Sequence, residues 1–225
     1  MANIDILYED NHLIAINKKS GQIVQGDKTG DIPLSELVKQ YIKEKYNKPG
    51  DVYLGVAHRL DRPVSGVIIF AKTSKALTRL NNLFKIKEAK KTYWAICANK
   101  PPKEQDRLEN HIFRNEKQNK SYIRLVESTN TKHAILDYKI IGRSEKYYLL
   151  EINLLTGRHH QIRCQLANLG CPIRGDLKYG YPRSNDNAGI NLHARQISLI
   201  HPVKNEEITI IANMPDEKIW KVFSV

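Results

Sequence analysis

Cysteine is scarce in this chain of 225 residues, which contains three: Cys97, Cys164 and Cys171. The number is odd and no pair has the C-x-x-C spacing, which excludes a disulfide framework and a zinc finger. Reduced thiols are typical of the cytoplasm, so the composition predicts a cytoplasmic protein.

Long apolar runs are also missing, since none approaches the roughly 20 residues of a membrane span. The N-terminal segment has no basic stretch followed by a long apolar core, so we expect no signal peptide and no membrane partner. We find no internal repeat, low-complexity tract or linker. The sequence therefore predicts a single domain over residues 1–225, and its 41% hydrophobic content is enough for a core.

Acidic residues are the minority among the charged ones. Asp and Glu total 24 against 36 Lys and Arg, for a net charge of +12. Such a balance favours polyanionic partners, namely RNA, DNA or an acidic membrane surface. Charge alone leaves the choice open, and a merely basic surface is the alternative.

Hydrophobic periodicity predicts an α+β protein with a largely antiparallel mixed β-sheet flanked by helices and loops. Ser74 is the expected cap of the second helix, and Gly170 is expected to end the third. The predicted strands span 4–8, 13–16, 67–71, 92–98, a hairpin over 111–126, 134–141, 147–155 and 208–212. The predicted helices span about 34–42, 74–84 and 159–169, and the polar segment 101–110 is predicted as a loop.

One carboxylate stands between two arginines in the segment 58–66, HRLDRPVSG. Nearby positive charge keeps Asp61 ionised, and arginines suit a polyanionic substrate, which indicates an enzyme that acts on nucleic acid. A structural ion pair at the start of a strand is the alternative. Kinase chemistry is excluded because Leu60 breaks the kinase spacing and no Gly-rich phosphate loop is present.

A tyrosine follows two lysines in the segment 90–95, KKTYWA. In a strand, Lys91, Tyr93 and Ala95 share one face. A tyrosine there can stack on a base while the lysines meet phosphate. The alternative is an amphipathic strand with Tyr93 in the core.

A strand end and a helix start meet in the segment 155–166, LTGRHHQIRCQL. Backbone N–H groups at the helix start, with Arg158, can hold a phosphate. Arg163 lies beside the apolar face of the helix, so it needs a carboxylate partner. His160 and Cys164 lie four residues apart, but no further ligand is nearby, so we predict no metal site and expect His159 and His160 at the surface or in contact with RNA.

These segments match, in order, motifs spread over about residues 4–212. The matching residues are His58-Arg59-Leu60-Asp61, Ser65-Gly66, Tyr93 within Lys91–Ala95, Thr156-Gly157-Arg158, His160–Arg163, Gly170–Asp176, Tyr179-Gly180, Leu192-His193-Ala194 and His201-Pro202. The chain thereby resembles the RluA family of RNA pseudouridine synthases. The resemblance implies the catalytic fold of that family, without a separate N-terminal RNA-binding module. We expect a monomer, because the sequence shows no obvious extra apolar face.

The resemblance implies that the protein is an isomerase that converts uridine to pseudouridine in structured ribosomal or transfer RNA, with no metal or organic cofactor. The uridine must be flipped out of the RNA, which costs a few kcal/mol. Asp61 is then the essential carboxylate. Attack on the sugar, attack on the base and removal of a 2′ proton stay open as its role.

The resemblance also implies roles for four further residues. Tyr93 matches a tyrosine that packs on the target base, and Arg163 matches an arginine that pairs with the catalytic aspartate. Arg59 matches the residue that fills the space left by the flipped base, and Arg158 is the candidate for a backbone phosphate. An RNA-binding protein that has lost catalysis and a hydrolase that uses Asp61 to activate water are the alternatives.

Overall fold

The computed structural model describes residues 4–26 and 30–223. Within them, strands β1 to β11 span Ile6–Glu9, Leu13–Lys18, Gly55–Val56, Ser65–Ala71, Lys90–Cys97, Gln105–Asn115, Lys120–Arg124, Thr131–Arg143, Tyr148–Leu154, Leu192–Ile200 and Glu207–Ile211. Helices α1 to α4 span Leu34–Lys45, Ser74–Lys85, Gln161–Asn168 and Lys218–Lys221, and a 3₁₀ helix spans Leu177–Tyr179. The predicted α+β class is confirmed.

The described residues fall into two compact units. Unit 1 comprises the residues up to 89 together with 194–213, and unit 2 comprises 90–193 together with the residues from 214 onward. Each is described by itself below, and the single domain stays a prediction. No helix in the described part of the chain is long and apolar enough to cross a membrane.

The sheet of unit 1 has the strand order β1-β2-β4-β10-β11, with β3 paired to the end of β4. Successive residues of β4 point to opposite faces, and helices cover both faces. Val67 and Ile69 pack with residues of α2, whereas Ile68 and Phe70 pack with residues of α1. The continuous apolar run from Val67 is therefore the buried strand that the sequence predicts.

The cap of helix α2 differs from the prediction. The Ala76 amide donates to Thr73 Oγ1 at 3.2 Å, so Thr73 and not Ser74 is the N-cap residue. A capping side chain needs an extended backbone and reaches the amide three residues on. Thr73 has that backbone (φ −139°, ψ 152°), whereas Ser74 is already helical.

The sheet of unit 2 is antiparallel, with the strand order β5-β9-β8-β6-β7. The predicted hairpin is confirmed as β6 and β7. The predicted loop is wrong from Gln105 onward, because Gln105–Asn110 pairs with Ala134–Lys139 of β8. This half of β6 is mostly exposed, so its side chains carry no apolar periodicity.

Helix α3 is shorter than predicted at its start. His160 adopts a left-handed backbone (φ 52°), so the helix begins at Gln161. Its end agrees with the prediction, because Gly170 is left-handed (φ 82°) and the Cys171 amide donates to the Leu166 carbonyl at 2.9 Å.

Candidate active site

The Asp61 segment is an irregular loop between β3 and β4 in unit 1. The Val64 amide donates to the Asp61 carbonyl at 3.0 Å, which closes a turn just before β4. Arg59 is exposed, Leu60 is buried and Asp61 is half-buried. Leu60 thus anchors the loop, while the two flanking charged residues, Arg59 and Asp61, stay accessible.

Lys18, the last residue of β2, is a buried lysine that binds this loop. Its side chain is 0% exposed, and its Nζ donates to the carbonyls of Arg62 at 3.1 Å and Val64 at 2.6 Å. The Lys19 carbonyl accepts the third hydrogen bond at 3.1 Å. Burial lowers the pKa of Lys18 to about 7, against the attraction of Asp61. The ammonium group therefore lies in the electrostatic field of the candidate catalytic carboxylate.

The turn that follows β2 adds two further contacts to the loop. Ser20 Oγ donates to the Pro63 carbonyl at 2.7 Å, and the Gly21 amide donates to the Arg62 carbonyl at 2.9 Å. Three consecutive carbonyls, at residues 62–64, are thus all held by this turn and Lys18. Arg62 itself forms an ion pair with Asp31 at 2.6 Å, which gives a partner to an arginine for which the sequence suggested no specific role.

The two flanks of the loop are fixed by close packing. His58 Nε2 accepts from the Ile69 amide at 3.0 Å, and the His58 ring lies 4.9 Å from the Phe84 ring of α2. On the other side, Gly66 has φ 112°, and a Cβ there would lie 2.2 Å from the Ala194 carbonyl oxygen. Only glycine permits that approach, so this glycine sets the start of β4.

Tyr93 lies in the middle of β5 in unit 2. It is 8% exposed and stands opposite Ile152 of β9. Trp94 and Ile96, on the other face of the strand, pack into a core cluster with Trp220. The predicted alternation is confirmed, and a strand flanked by a core on one face holds the Tyr93 ring firmly.

The side chain of Gln161 organises the entry to α3. Its Oε1 accepts from Thr156 Oγ1 at 2.8 Å and from the Arg158 amide at 3.0 Å. Its Nε2 donates to the Ile135 carbonyl of β8 at 3.0 Å. Arg158 Nε donates to the His133 carbonyl at 2.9 Å, so this candidate phosphate ligand is anchored to the same strand.

Arg163 has a buried carboxylate partner within unit 2. Its Nε and Nη2 donate to the two carboxylate oxygens of Asp176 at 2.7 and 2.8 Å. Arg163 is 5% exposed and Asp176 is 1% exposed. The guanidinium also lies over the Tyr179 ring, 5.1 Å from its centroid. The expected need for a carboxylate is confirmed, and Asp176 is a partner that sequence reasoning missed.

His159 and His160 stack on each other, with ring centroids 3.8 Å apart. His160 is buried, so the prediction of a surface position is wrong for it, because its Nδ1 bonds the Tyr179 hydroxyl at 2.9 Å. Cys164 donates to the Ser121 carbonyl instead of facing a metal. Across the described residues, no group of three His, Cys, Asp or Glu could hold a metal ion.

The five predicted site residues are divided between the units. Arg59 and Asp61 belong to unit 1, whereas Tyr93, Arg158 and Arg163 belong to unit 2. The pairing of Arg163 with Asp61 therefore stays a prediction.

Sequence reasoning also missed the roles of Lys18 and Gln161. A lysine at the end of an apolar strand looks like any surface lysine, so the sequence carries no signal for its burial. The motif that contains Gln161 was recognised, but its side-chain partners come from another strand.

The chain was compared with known proteins. Residues 12–168 match the family described as RNA pseudouridylate synthase. An uncharacterised RNA pseudouridine synthase of Synechocystis sp. is 35% identical over 215 residues, which are 94% of this chain and 66% of that protein. Ribosomal large subunit pseudouridine synthase C of Rickettsia prowazekii is 34% identical over 215 residues, 93% of this chain and 68% of that protein.

Two solved structures share the fold. Human RNA pseudouridylate synthase domain containing 4 matches with a TM-score of 0.80 and 25% identity, over 94% of this chain and 89% of that one. Human RNA pseudouridylate synthase domain containing 1 matches with a TM-score of 0.74 and 22% identity, over 95% of this chain and 84% of that one. The chain spans about two thirds of the length of the curated relatives it matches. It belongs to the RluA family of RNA pseudouridine synthases, as the sequence predicts.

Proposed function

We propose that this protein converts uridine in large-subunit ribosomal RNA to pseudouridine, with Asp61 as the catalytic carboxylate. The Rickettsia relatives are ribosomal large subunit pseudouridine synthases, which supports the choice of RNA. The observation that carries the proposal is the loop itself, because Lys18, Ser20 and Gly21 bind three successive carbonyls directly after Asp61. A carboxylate on such a fixed loop is preorganised for one geometry.

The reaction is an isomerisation and needs no external reagent. The bond between N1 of uracil and C1′ of ribose breaks, the base turns, and a bond forms between C5 and C1′. The proton on C5 leaves and N1 gains one, so atoms and electrons balance without an oxidant or reductant. Each of the three roles considered for Asp61 requires the carboxylate to be ionised, and Lys18 lies in the electrostatic field of that carboxylate.

The other residues have binding and positioning roles in this proposal. Arg59, which is exposed beside Asp61, occupies the space of the flipped uridine. Tyr93 packs against the target base, and Arg158 binds a backbone phosphate. Arg163 pairs with Asp61, and Asp176 accepts two hydrogen bonds from the Arg163 guanidinium.

Substitution of the carboxylate tests the proposal. Asp61→Asn keeps the side-chain shape and removes the charge, so we expect pseudouridine formation to fall by at least about a thousandfold, in the range of lost nucleophilic or acid–base groups. RNA affinity should change little. The measurement is tritium release from RNA labelled at C5 of uridine, together with pseudouridine mapping of total RNA from cells with and without the gene.

A matched control is Asp106→Asn, which neutralises a half-buried carboxylate that pairs with Lys103 at 2.9 Å. It should retain wild-type activity. Turnover near wild type in Asp61→Asn would contradict the catalytic role. Modified sites confined to transfer RNA would contradict the ribosomal target while leaving the chemistry intact.

The proposal includes a monomeric, cytoplasmic enzyme that needs no protein partner. The three cysteines support the reducing compartment, since all are buried thiols. Light scattering of the purified protein with and without RNA measures the oligomeric state, and a stable dimer would contradict that part.

A further inference from the structure

The exposed face of helix α2 in unit 1 carries cations that no step of the reaction uses. We define the α2 basic face as Lys75, Arg79, Lys85 and Lys87, all of which are exposed. Between residues 74 and 89 the only acidic residue is Glu88. Among the described residues, no carboxylate lies within ion-pair distance of the three lysines. The positive charge of this face is therefore not neutralised within the described structure.

Helix α1 shows what an ordinary charged helix of this protein looks like. It mixes Glu36 and Glu44 with lysines, and Glu36 pairs with Lys39 at 2.9 Å. Pairs of this spacing stabilise a surface helix. Because α2 lacks them entirely, its lysines do not serve the stability of the helix in this way.

Two of these cations are at positions where the local backbone structure disfavours lysine. Lys75 is in the first turn of α2, where the helix dipole favours an acidic residue. Lys87 follows the helix end with φ 63°, a left-handed conformation that normally selects glycine. The dipole accounts for Lys85 in the last turn but for neither of these two. Sites that break local rules without a structural gain are expected to be functional.

We propose that the α2 basic face binds the phosphate backbone of the substrate RNA outside the target nucleotide. This inference rests on the proposed function and adds a second contact region to it. Lys75 and Lys85 are ten residues apart, or about 15 Å along the helix, so the face spans several phosphates. Ser74, Asn81 and Asn82 lie among the cations and offer further donors to phosphate and ribose.

The face is also close to the catalytic segment within the same unit. Phe84, which precedes Lys85, packs on His58 at a ring distance of 4.9 Å, and His58 is the residue before Arg59. An RNA strand that leaves Asp61 thus meets the C-terminal end of α2 within a short distance. An acidic membrane surface fits less well, because an interfacial helix needs an exposed apolar face and Ile86 is the one large apolar residue exposed between 74 and 89.

The test compares two triple variants that remove the same charge. Lys75→Gln/Lys85→Gln/Lys87→Gly removes three cations of the α2 basic face and leaves Arg79, which donates to the Pro202 carbonyl at 2.6 Å. Lys39→Gln/Lys43→Gln/Lys48→Gln removes three cations of α1 and the turn after it. The affinity for a labelled RNA hairpin is measured over a range of salt, and kcat and KM are measured on a ribosomal RNA transcript.

For the α2 triple variant we expect the RNA affinity at physiological salt to fall about tenfold or more. The slope of log affinity against log salt concentration should shrink by about 2, because each lost phosphate contact removes about 0.7–0.9 from it. KM should rise with kcat unchanged, and the α1 variant should stay within about twofold of wild type. Lys87→Gly alone should keep or raise the melting temperature while weakening RNA binding, which separates binding from folding.

Equal affinities and salt slopes for the two triple variants would overturn the inference. The inference would also be overturned if the α2 triple variant lost binding to phosphatidylglycerol vesicles but kept its RNA affinity, because the face would then bind a membrane surface. If the wild type forms no pseudouridine on any RNA, the proposed function fails, and the hairpin affinities still decide whether this face binds RNA.

Discussion

At the scale of single residues, each unit contains a buried cation that holds a candidate functional segment. Lys18 donates to three carbonyls and holds the loop of Asp61, and Arg163 forms a two-bond pair with Asp176. A buried charge is tolerated only when its hydrogen-bonding capacity is filled. Lys18 has two acceptors that are more than about 40 positions away in sequence, and the carboxylate of Arg163 is 13 positions away, so both cations tie candidate functional segments to other parts of the chain.

Lys18 makes stability depend on pH in a defined direction. Its pKa is about 7 in the folded protein against an ordinary value of 10.5. Between these values the unfolded chain binds a proton that the folded chain has lost, so the free energy of unfolding rises with pH. The free energy of unfolding rises by at most about 1.4 kcal/mol per pH unit in this range. The gain disappears as the pH falls through 7, because Lys18 is then protonated in both states. Urea unfolding from about pH 7 to 10 measures it.

The Lys18→Met variant should lack this slope, because it has no group that titrates there. It should also be less stable at every pH, since the carbonyls of Arg62 and Val64 lose their donor. Groups far from Lys18 titrate alike in the two proteins between about pH 7 and 10, so the difference between the two pH profiles in that range isolates Lys18. Parallel profiles would show that its pKa is not depressed.

Asp176→Asn should destabilise unit 2 by roughly 3–5 kcal/mol, because it removes the charge of the buried carboxylate that accepts two hydrogen bonds from Arg163. The denaturant midpoint measures the loss. Arg163→Met/Asp176→Leu removes both charges and should recover most of the stability. If Arg163 pairs with Asp61 as proposed, that double variant folds but does not form pseudouridine. A wild-type midpoint in Asp176→Asn would show that the buried pair contributes little.

At the scale of elements, the strands and helices hold short loops in fixed positions. Strand β4 is buried on both faces, and its first residues approach β10 so closely that Gly66 meets the Ala194 backbone. Strand β5 holds Tyr93, and α3 begins where Gln161 ties the segment Thr156–Arg158 to β8. The loops carry the chemistry, and the buried elements set their geometry.

Gly66→Ala should be strongly destabilising. The φ of 112° alone costs about 1–3 kcal/mol for a residue with a Cβ. The 2.2 Å approach to the Ala194 oxygen adds a clash that only movement of β4 relieves. Thermal unfolding measures the effect. Gly50→Ala is the matched control, because nothing lies within 4 Å of its Cβ, and it should stay within about 0.5 kcal/mol of wild type.

At the scale of the whole molecule, the excess of 36 basic over 24 acidic residues governs how the protein meets RNA. Such an excess attracts a polyanion at long range and speeds encounter. It does not select a sequence, because phosphate contacts orient the protein and base contacts specify the site. The net charge of +12 therefore does not select the target.

RNA affinity should fall steeply with salt, because each neutralised phosphate releases counterions. We expect a loss of about tenfold or more between about 50 and about 200 mM salt, with a linear log–log plot. Filter binding or fluorescence anisotropy measures it. An uncharged osmolyte should leave the affinity unchanged, and a flat salt response would contradict electrostatic binding.

The sequence by itself determined the fold class, the order of most elements and the family. The buried strand at Val67–Ala71, the hairpin near residue 115 and the end of α3 at Gly170 follow from local rules of periodicity and turn chemistry. The motif residues at 58–66, 93 and 156–163 carry the resemblance to the family because their order and spacing are specific. The exposed half of β6 escaped prediction, since its pairing comes from the β8 backbone and not from its side chains.

Only the tertiary structure decided which groups surround the functional residues. Lys18 and Arg62 are 44 positions apart and Arg163 and Asp176 are 13 apart, and their contacts depend on how distant segments pack. Burial gives these contacts their consequence, because a lysine in water titrates near 10.5, whereas Lys18 titrates near 7. The sequence names the carboxylate of Asp61, and the folded chain supplies the ammonium group and the turn that hold its loop in place.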